Sequence, residues 1–239
     1  ISTSFIVQYN DCNRKMIVNP KSFSSIGVNT LSNSISIPNH GLENGQKIIH
    51  TSTLPSLGLQ NEKEYFIVKV DKNNIKLSNT YYGSTKLNPE IVGITSASFG
   101  NILPINPPLT LYKDSKVIFD LSNSSLSYTN QSQLYPAFSL DFYKDRNFTE
   151  IFEVSKKDTS FEVKKFGIVG VTSGAKLELT VNSNIPETLY YKLTPIYNSS
   201  ISEEKKKISI DNDVLLNNQL IIVESQYNGK KVITSSSST

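Results

Sequence analysis

An all-β fold is predicted by three features of this 239-residue sequence. No stretch sustains apolar residues at a 3.6-residue period, whereas alternation of apolar and polar residues recurs along the chain. Ser, Asn and Thr dominate the polar residues, and these favour turns and short strands over long helices. Turn signals separate the alternating runs, as in Asn39-His40-Gly41, Glu43-Asn44-Gly45, Asp71-Lys72-Asn73-Asn74 and Asn228-Gly229. The length suits two or three modules better than one.

Taken in order, residues 1–27 hold two predicted strands, Ser4–Gln8 and Lys15–Val18, with Asn-rich turns, and read as the end of an upstream module. Residues 28–103 read as a small β-barrel or hairpin module. Ser34–Pro38 opens it, Gln46–Thr51 follows, and Glu64–Val70 pairs with Ile75–Ser78 across an Asp/Asn turn. In Tyr65–Val70 the residues Phe66, Val68 and Val70 share a face. Pro104, Pro107 and Pro108 fall within five residues and predict a stiff extended connector.

Residues 107–197 read as a β-sandwich. Phe138, Leu140 and Phe142 share one face of Ala137–Tyr143, and Leu177, Leu179 and Val181 one face of Ala175–Asn182. In Thr188–Thr194, Leu189, Tyr191 and Leu193 alternate with Tyr190, Lys192 and Thr194. Each large side chain buried this way contributes roughly 1.5–3 kcal/mol, which drives two sheets together. Residues 198–239 read as a polar link through Glu203–Lys207 and a C-terminal hairpin, Gln219–Gln226 with Lys230–Thr234, that starts a further module or pairs with a neighbouring subunit. The start at Ile1 and the Ser-rich end point to a piece of a longer polypeptide.

Composition narrows the function. A formal charge of +3, with Arg14 and Arg146 the only arginines, argues against a nucleic-acid partner. The single cysteine, Cys12, forms no intrachain disulfide, and no apolar run is long enough to insert into a membrane as a helix. Cys12, Met16, His40 and His50 are the soft or imidazole metal ligands, and their spacing matches no compact zinc motif. Two histidines and no G-x-S-x-G elbow leave little for nucleophilic catalysis. Asp141/Asp145 and Glu150/Glu153 are carboxylates close in sequence, weighed as a glycosidase pair and read instead as solvated positions. The expectation is no enzyme, no cofactor and no metal.

Two segments carry a family resemblance. SISIPNHGLENGQKIIH with EYFIVKVDKNNIKLSNT resembles a small β module of large virion proteins in marine tailed phages, chiefly T4-like cyanophages. IFDLSNSSL, GVTSGAKLELTV and IPETLYYKL resemble the cupredoxin-like repeats of the same proteins. The resemblance covers most of residues 28–234 and implies a cupredoxin-like β-sandwich. Where a cupredoxin carries its copper ligands, this chain has Tyr135-Pro136-Ala137 and Lys192-Leu193-Thr194-Pro195. It therefore implies a sandwich without its copper chemistry.

The resulting expectation is a structural component of a tailed phage virion, in tail, baseplate or fibre, packing against other virion proteins as a trimer or in six-fold array. The alternative is a module that recognises host-surface glycan. Tyr81, Tyr82, Tyr128, Tyr135 and Tyr190 are the candidate contacts in either case, because tyrosines stack on sugars and anchor interfaces. A degenerate electron-transfer protein is the third reading.

Overall fold

The computed structural model describes residues 2–152, 161–182, 188–196 and 219–223. Strands dominate. In chain order they are β1 (Ser2–Asn10), β2 (Lys15–Val18), β3 (Lys21–Phe23), β4 (Val28–Asn29), β5 (Ser34–Ser36), β6 (Lys47–Thr51), β7 (Lys63–Lys69), β8 (Asn74–Ser78) and β9 (Gly100–Pro104). They continue with β10 (Leu109–Tyr112), β11 (Lys116–Asp120), β12 (Ser127–Asn130), β13 (Gln133–Pro136), β14 (Phe138–Tyr143), β15 (Phe161–Phe166), β16 (Lys176–Val181), β17 (Thr188–Pro195) and β18 (Gln219–Val223). One short helix, α1 (Tyr81–Thr85), is capped by the Thr80 hydroxyl, which accepts from Gly83 N–H at 2.9 Å. The chain is all-β, as its alternation predicts.

The described residues form two compact units. Residues 17–107 make the first. Its seven strands are ordered β3-β9-β6-β7-β8-β5-β4. Laid flat, seven strands about 4.8 Å apart would span ~29 Å. The two edge residues Phe23 and Val28 are only five positions apart, a reach of at most ~18 Å. The sheet must therefore curl toward closure, and Phe23 and Val28 do share one core with Ile35, Ile48, Tyr65, Ile67, Ile75, Leu77 and Ile102. This is a small open barrel, with β3 and β4 as edges that are not paired to each other. Tyr65 and Ile67 point into it, whereas Phe66 lies on the outer wall against Tyr81 of α1, at 6.2 Å between ring centroids. A smaller cluster of Ile17, Ile49 and Ile105 lies apart from the main core, with Leu103 against it.

The second unit takes residues 2–16 and the described residues from 108 onward. One sheet is ordered β15-β16-β11-β1-β2 and another β10-β18-β17-β14. Phe5, Val7, Phe119, Leu177 and Leu179 of the first sheet and Phe138, Leu140, Leu189, Tyr191 and Leu193 of the second are all buried. The sheets meet through aromatic pairs, Phe119 with Phe142 at 6.0 Å and Tyr9 with Phe138 at 4.7 Å. The predicted inward faces of 137–143, 175–182 and 188–194 are the buried ones. β12 and β13 form a separate two-stranded ribbon with the tip residues Gln131 and Ser132 both at positive φ.

Boundaries differ from those read in the sequence. Residues 1–27 are not one leftover piece: β1 pairs parallel to β11, so it belongs to the two-sheet unit, while β3 pairs with β9 in the barrel. The proline segment is not a free connector. Leu103 and Pro104 end β9, and Ile105 bridges Ile17. At the C-terminal side, Gln219–Val223 pairs within this chain, parallel to β10 and antiparallel to β17, in place of a start to another module or an arm to a neighbour. Residues 224–234 of the predicted hairpin, and the Glu203–Lys207 link, lie outside the described residues. These differences share a cause: strand partners distant in sequence leave no local signal.

Candidate functional site

The motif that carries the family resemblance forms one clasp at an end of the barrel. Asn39 takes a left-handed φ of 52°. Its N–H donates to Asn73 Oδ1 at 2.9 Å, and Ile37 N–H donates to the Asn73 carbonyl at 2.8 Å. His40 is buried and uses both ring nitrogens. Nε2–H donates to the Asp71 carbonyl at 2.7 Å, and Nδ1 accepts from Leu42 N–H at 2.9 Å. The Asp71 carboxylate accepts from Asn73 N–H at 2.7 Å and from the Asn74 amide at 3.0 Å. These donors, the Asn73 N–H first, hold the Asp71 carboxyl below its usual range. Farther along, Lys69 N–H donates to Asn44 Oδ1 at 2.6 Å and Gly45 N–H to the Ile67 carbonyl at 2.8 Å. The NHGLENG and VDKNN segments are thus two halves of one fastening. Their polar residues satisfy backbone groups that a turn would otherwise leave unpaired.

His50 sits inside the same barrel. Its Nδ1–H donates to the Gln60 carbonyl at 2.8 Å, and Nε2 is buried without a hydrogen-bond partner. Phe23 stacks beside it at 6.1 Å. Gly100 makes room for both rings: a Cβ there would lie 2.8 Å from Phe23 and 3.2 Å from His50 Nε2. Burial pushes the His50 imidazole below its ordinary pKa. Cys12 is exposed in the β1–β2 turn and Met16 is buried. Among the described residues no group of three or more His, Cys, Asp or Glu side chains could hold a metal ion.

The segments around residues 135–137 and 192–195 converge. Pro195 pairs with Phe138, and Ile196 N–H donates to the Ala137 carbonyl at 2.9 Å. Lys192 alternates with the buried Leu193 and Tyr191 and faces away from the core. Its ammonium lies 5.3 Å from the Tyr143 ring centre and 4.9 Å from that of Phe148, and those rings meet edge to face at 5.3 Å. Lys192 thus fastens the 144–150 loop to the sheet. Phe148 carried no signal in the sequence because it stands in a loop with no alternation. Asp145 is occupied by the same loop, accepting from the Thr149 hydroxyl at 2.6 Å and Glu150 N–H at 2.8 Å. Asp141 accepts from Ser139 at 2.9 Å. Glu153 lies outside the described residues.

The five candidate tyrosines do not form one site. Tyr81 and Tyr82 are on α1 of the barrel, both exposed, with Lys86 over the Tyr82 ring at 5.8 Å. Tyr128 and Tyr135 are brought together as cross-strand partners on the β12–β13 ribbon, stacked at 5.6 Å with 21° between planes. Partial desolvation, then the neighbouring Tyr135, raises the Tyr128 phenol pKa. Tyr190 is on β17, directly across from Tyr143. Comparison with protein-family models, curated proteins and solved structures returns no match.

Proposed function

We propose that this chain is a structural, non-enzymatic component of a tailed bacteriophage virion, in tail, baseplate or fibre, acting by packing against other virion proteins. The observation that carries this reading is the clasp. The residues that make the resemblance to phage virion modules, Asn39, His40, Gly45, Asp71, Asn73 and Asn74, all serve to hold the barrel together. The motif's polar groups are engaged internally, which supports a structural role over a catalytic one. Lys192 is in keeping with the same reading: it fastens a loop at a position where the cupredoxin resemblance would place a ligand. Mass spectrometry and immunogold labelling of purified phage particles test it. The chain is expected in stoichiometric amounts on the particle; its recovery only from the soluble fraction of infected cells would sink the proposal.

A second reading, recognition of host-surface glycan, is favoured by the stacked Tyr128 and Tyr135, which have Asn130 and Gln133 on the same face of the ribbon. A glycan array separates the two: binding that is lost in Tyr128→Ala and Tyr135→Ala supports recognition, and a blank array removes it.

A further inference from the structure

Asn44 and Gly45 form an Asn-Gly step inside the clasp. In such a step the backbone nitrogen of the glycine can attack the asparagine side chain, because glycine has no Cβ to hinder the approach. The Gly45 nitrogen would lose its proton and bond to Asn44 Cγ. The bond from Cγ to the side-chain nitrogen would break, that nitrogen would leave as ammonia with a proton from water, and a succinimide ring would close. Water would then open the ring at either carbonyl, giving an aspartate or an isoaspartate whose backbone runs through the side chain. Asn44 is exposed, so water and base reach it. Both reacting groups are nevertheless held. Gly45 N–H donates to the Ile67 carbonyl at 2.8 Å, and Asn44 Oδ1 accepts from Lys69 N–H at 2.6 Å. Ile67 N–H donates in turn to the Gln46 carbonyl at 2.9 Å, so Gly45 and Gln46 are pinned to one residue of β7. Gly45 itself is buried beneath α1: a Cβ on it would stand 2.7 Å from the Tyr81 ring and 3.0 Å from Thr85 Cγ2.

We propose that Asn44-Gly45 is a latent deamidation site, silent while the clasp is shut and reactive when it opens, so that isoaspartate at position 44 records opening of the barrel. A hydrogen-bonded N–H keeps its proton, so the Gly45 nitrogen is no nucleophile until the Ile67 carbonyl lets go; amide hydrogen exchange demands the same opening. The Lys69 N–H holds the Asn44 side chain on β7, and its Cγ does not swing onto the Gly45 nitrogen while that bond lasts. The two products then differ. An aspartate keeps an oxygen for the Lys69 N–H, and the clasp can close again. An isoaspartate adds a methylene to the backbone between Glu43 and Gly45 and displaces the register on which the Gly45 and Gln46 pairing with Ile67 depends. The step to isoaspartate therefore leaves the clasp open for good.

Incubation of the full chain at mildly alkaline pH, native and in guanidinium chloride, tests it, with peptide mapping by mass spectrometry and isoaspartyl methyltransferase labelling at Asn44. Native wild type is expected to react at Asn44 roughly 100-fold or more slowly than the unfolded chain, because only the small open fraction is reactive. Asn228-Gly229 in the same unfolded sample gives the rate of an Asn-Gly step without a fold. His40→Ala, which removes two bonds of the clasp, should speed the native reaction about 10-fold or more. Tyr81→Ala, which uncovers Gly45, should speed it by less. If His40→Ala fails to fold, wild type is measured in graded guanidinium chloride below its unfolding midpoint, where deamidation and exchange of the Gly45 amide should rise in step. Equal rates in native and unfolded wild type overturn the proposal. So does a folded His40→Ala that reacts no faster than wild type, and so does Gly45 exchange that rises without deamidation.

Discussion

His40 and Asp71 are joined through ring and backbone: His40 Nε2–H donates to the Asp71 carbonyl at 2.7 Å, while the Asp71 carboxylate turns away to cap Asn73 and Asn74. The imidazole is fixed in one tautomer by Leu42 N–H on its other nitrogen. A histidine in a family motif often signals chemistry. Here it bridges two turns, and its burial depends on both partners.

Replacing His40 by Ala leaves the Asp71 carbonyl and the Leu42 N–H without their partner and opens a hole behind the turn. Each unsatisfied buried group costs about 1–3 kcal/mol, so the barrel should lose roughly 2–4 kcal/mol. Hydrogen exchange read by mass spectrometry on residues 35–45 and 67–77 measures this locally. Unchanged protection there in His40→Ala would refute the fastening role.

His50 makes the barrel sensitive to acid. Its folded pKa lies below the unfolded value of 6.5, because burial disfavours the charged ring. Below pH 6.5 the unfolded chain takes up a proton that the folded barrel refuses. The stabilisation is therefore complete above pH 6.5 and is lost as the pH falls toward the folded pKa. Thermal melts between pH 7.5 and 5 should show a steeper decline for wild type than for His50→Leu. Parallel curves would mean that the imidazole titrates alike in both states.

Much of this fold was legible locally. Strand β2 falls at Lys15–Val18 as read from the sequence, and β6, β8, β14, β16 and β17 fall within a residue or so of the alternating runs that predict them. Period-2 burial of Leu177, Leu179 and Val181 leaves its mark in the residues themselves. The parallel pairing of β1 with β11 left none, because Phe5 and Phe119 are 114 positions apart and nothing local announces the match. The barrel's long-range pairings, β9 with β3 and with β6, were hidden for the same reason. The site was less legible than the fold. Tyr128 and Tyr135 met as a pair across a two-residue turn, but the lacing of residues 52–58 to 93–99 runs through Ser hydroxyls and backbone groups, which have no sequence period.

Two glycines should respond very differently to alanine. Gly58 has φ +98°, and a Cβ there would stand 1.8 Å from the Gly93 carbonyl oxygen, a backbone atom that cannot swing aside. Gly174 has φ +77° and open space around its Cβ. Gly174→Ala should cost about 1–2 kcal/mol, the conformational penalty alone. Gly58→Ala must also separate two loops and should exceed about 3 kcal/mol. Urea midpoints of the two variants decide; equal midpoints would show that the loops do not touch.

Lys192 should act as a fastener of the 144–150 loop. Its contacts with Tyr143 and Phe148 are each worth about 0.5–2 kcal/mol. Lys192→Ala should lower stability by roughly 1–2 kcal/mol and speed exchange at residues 145–150, while Lys192→Arg, which keeps the cation, should restore most of it. Rescue by Lys192→Met instead would assign the effect to packing of the stem.

Residues 17–107 should fold alone. The chain enters and leaves the barrel side by side, where Ile17 bridges Ile105. The residues of its main core, from Phe23 to Ile102, lie within this span, as does the smaller cluster of Ile17, Ile49 and Ile105. Every hydrogen bond of the His40 clasp is internal to it as well. At 91 residues, counting 17 through 107, the segment exceeds the size below which domains usually need metals or disulfides. Expressed by itself it should give a β-type circular dichroism spectrum and a single cooperative urea transition in which His40→Ala lowers the midpoint. A gradual, non-cooperative transition would mean that the barrel relies on the rest of the chain, and the clasp would then be a local ornament on a jointly folded structure.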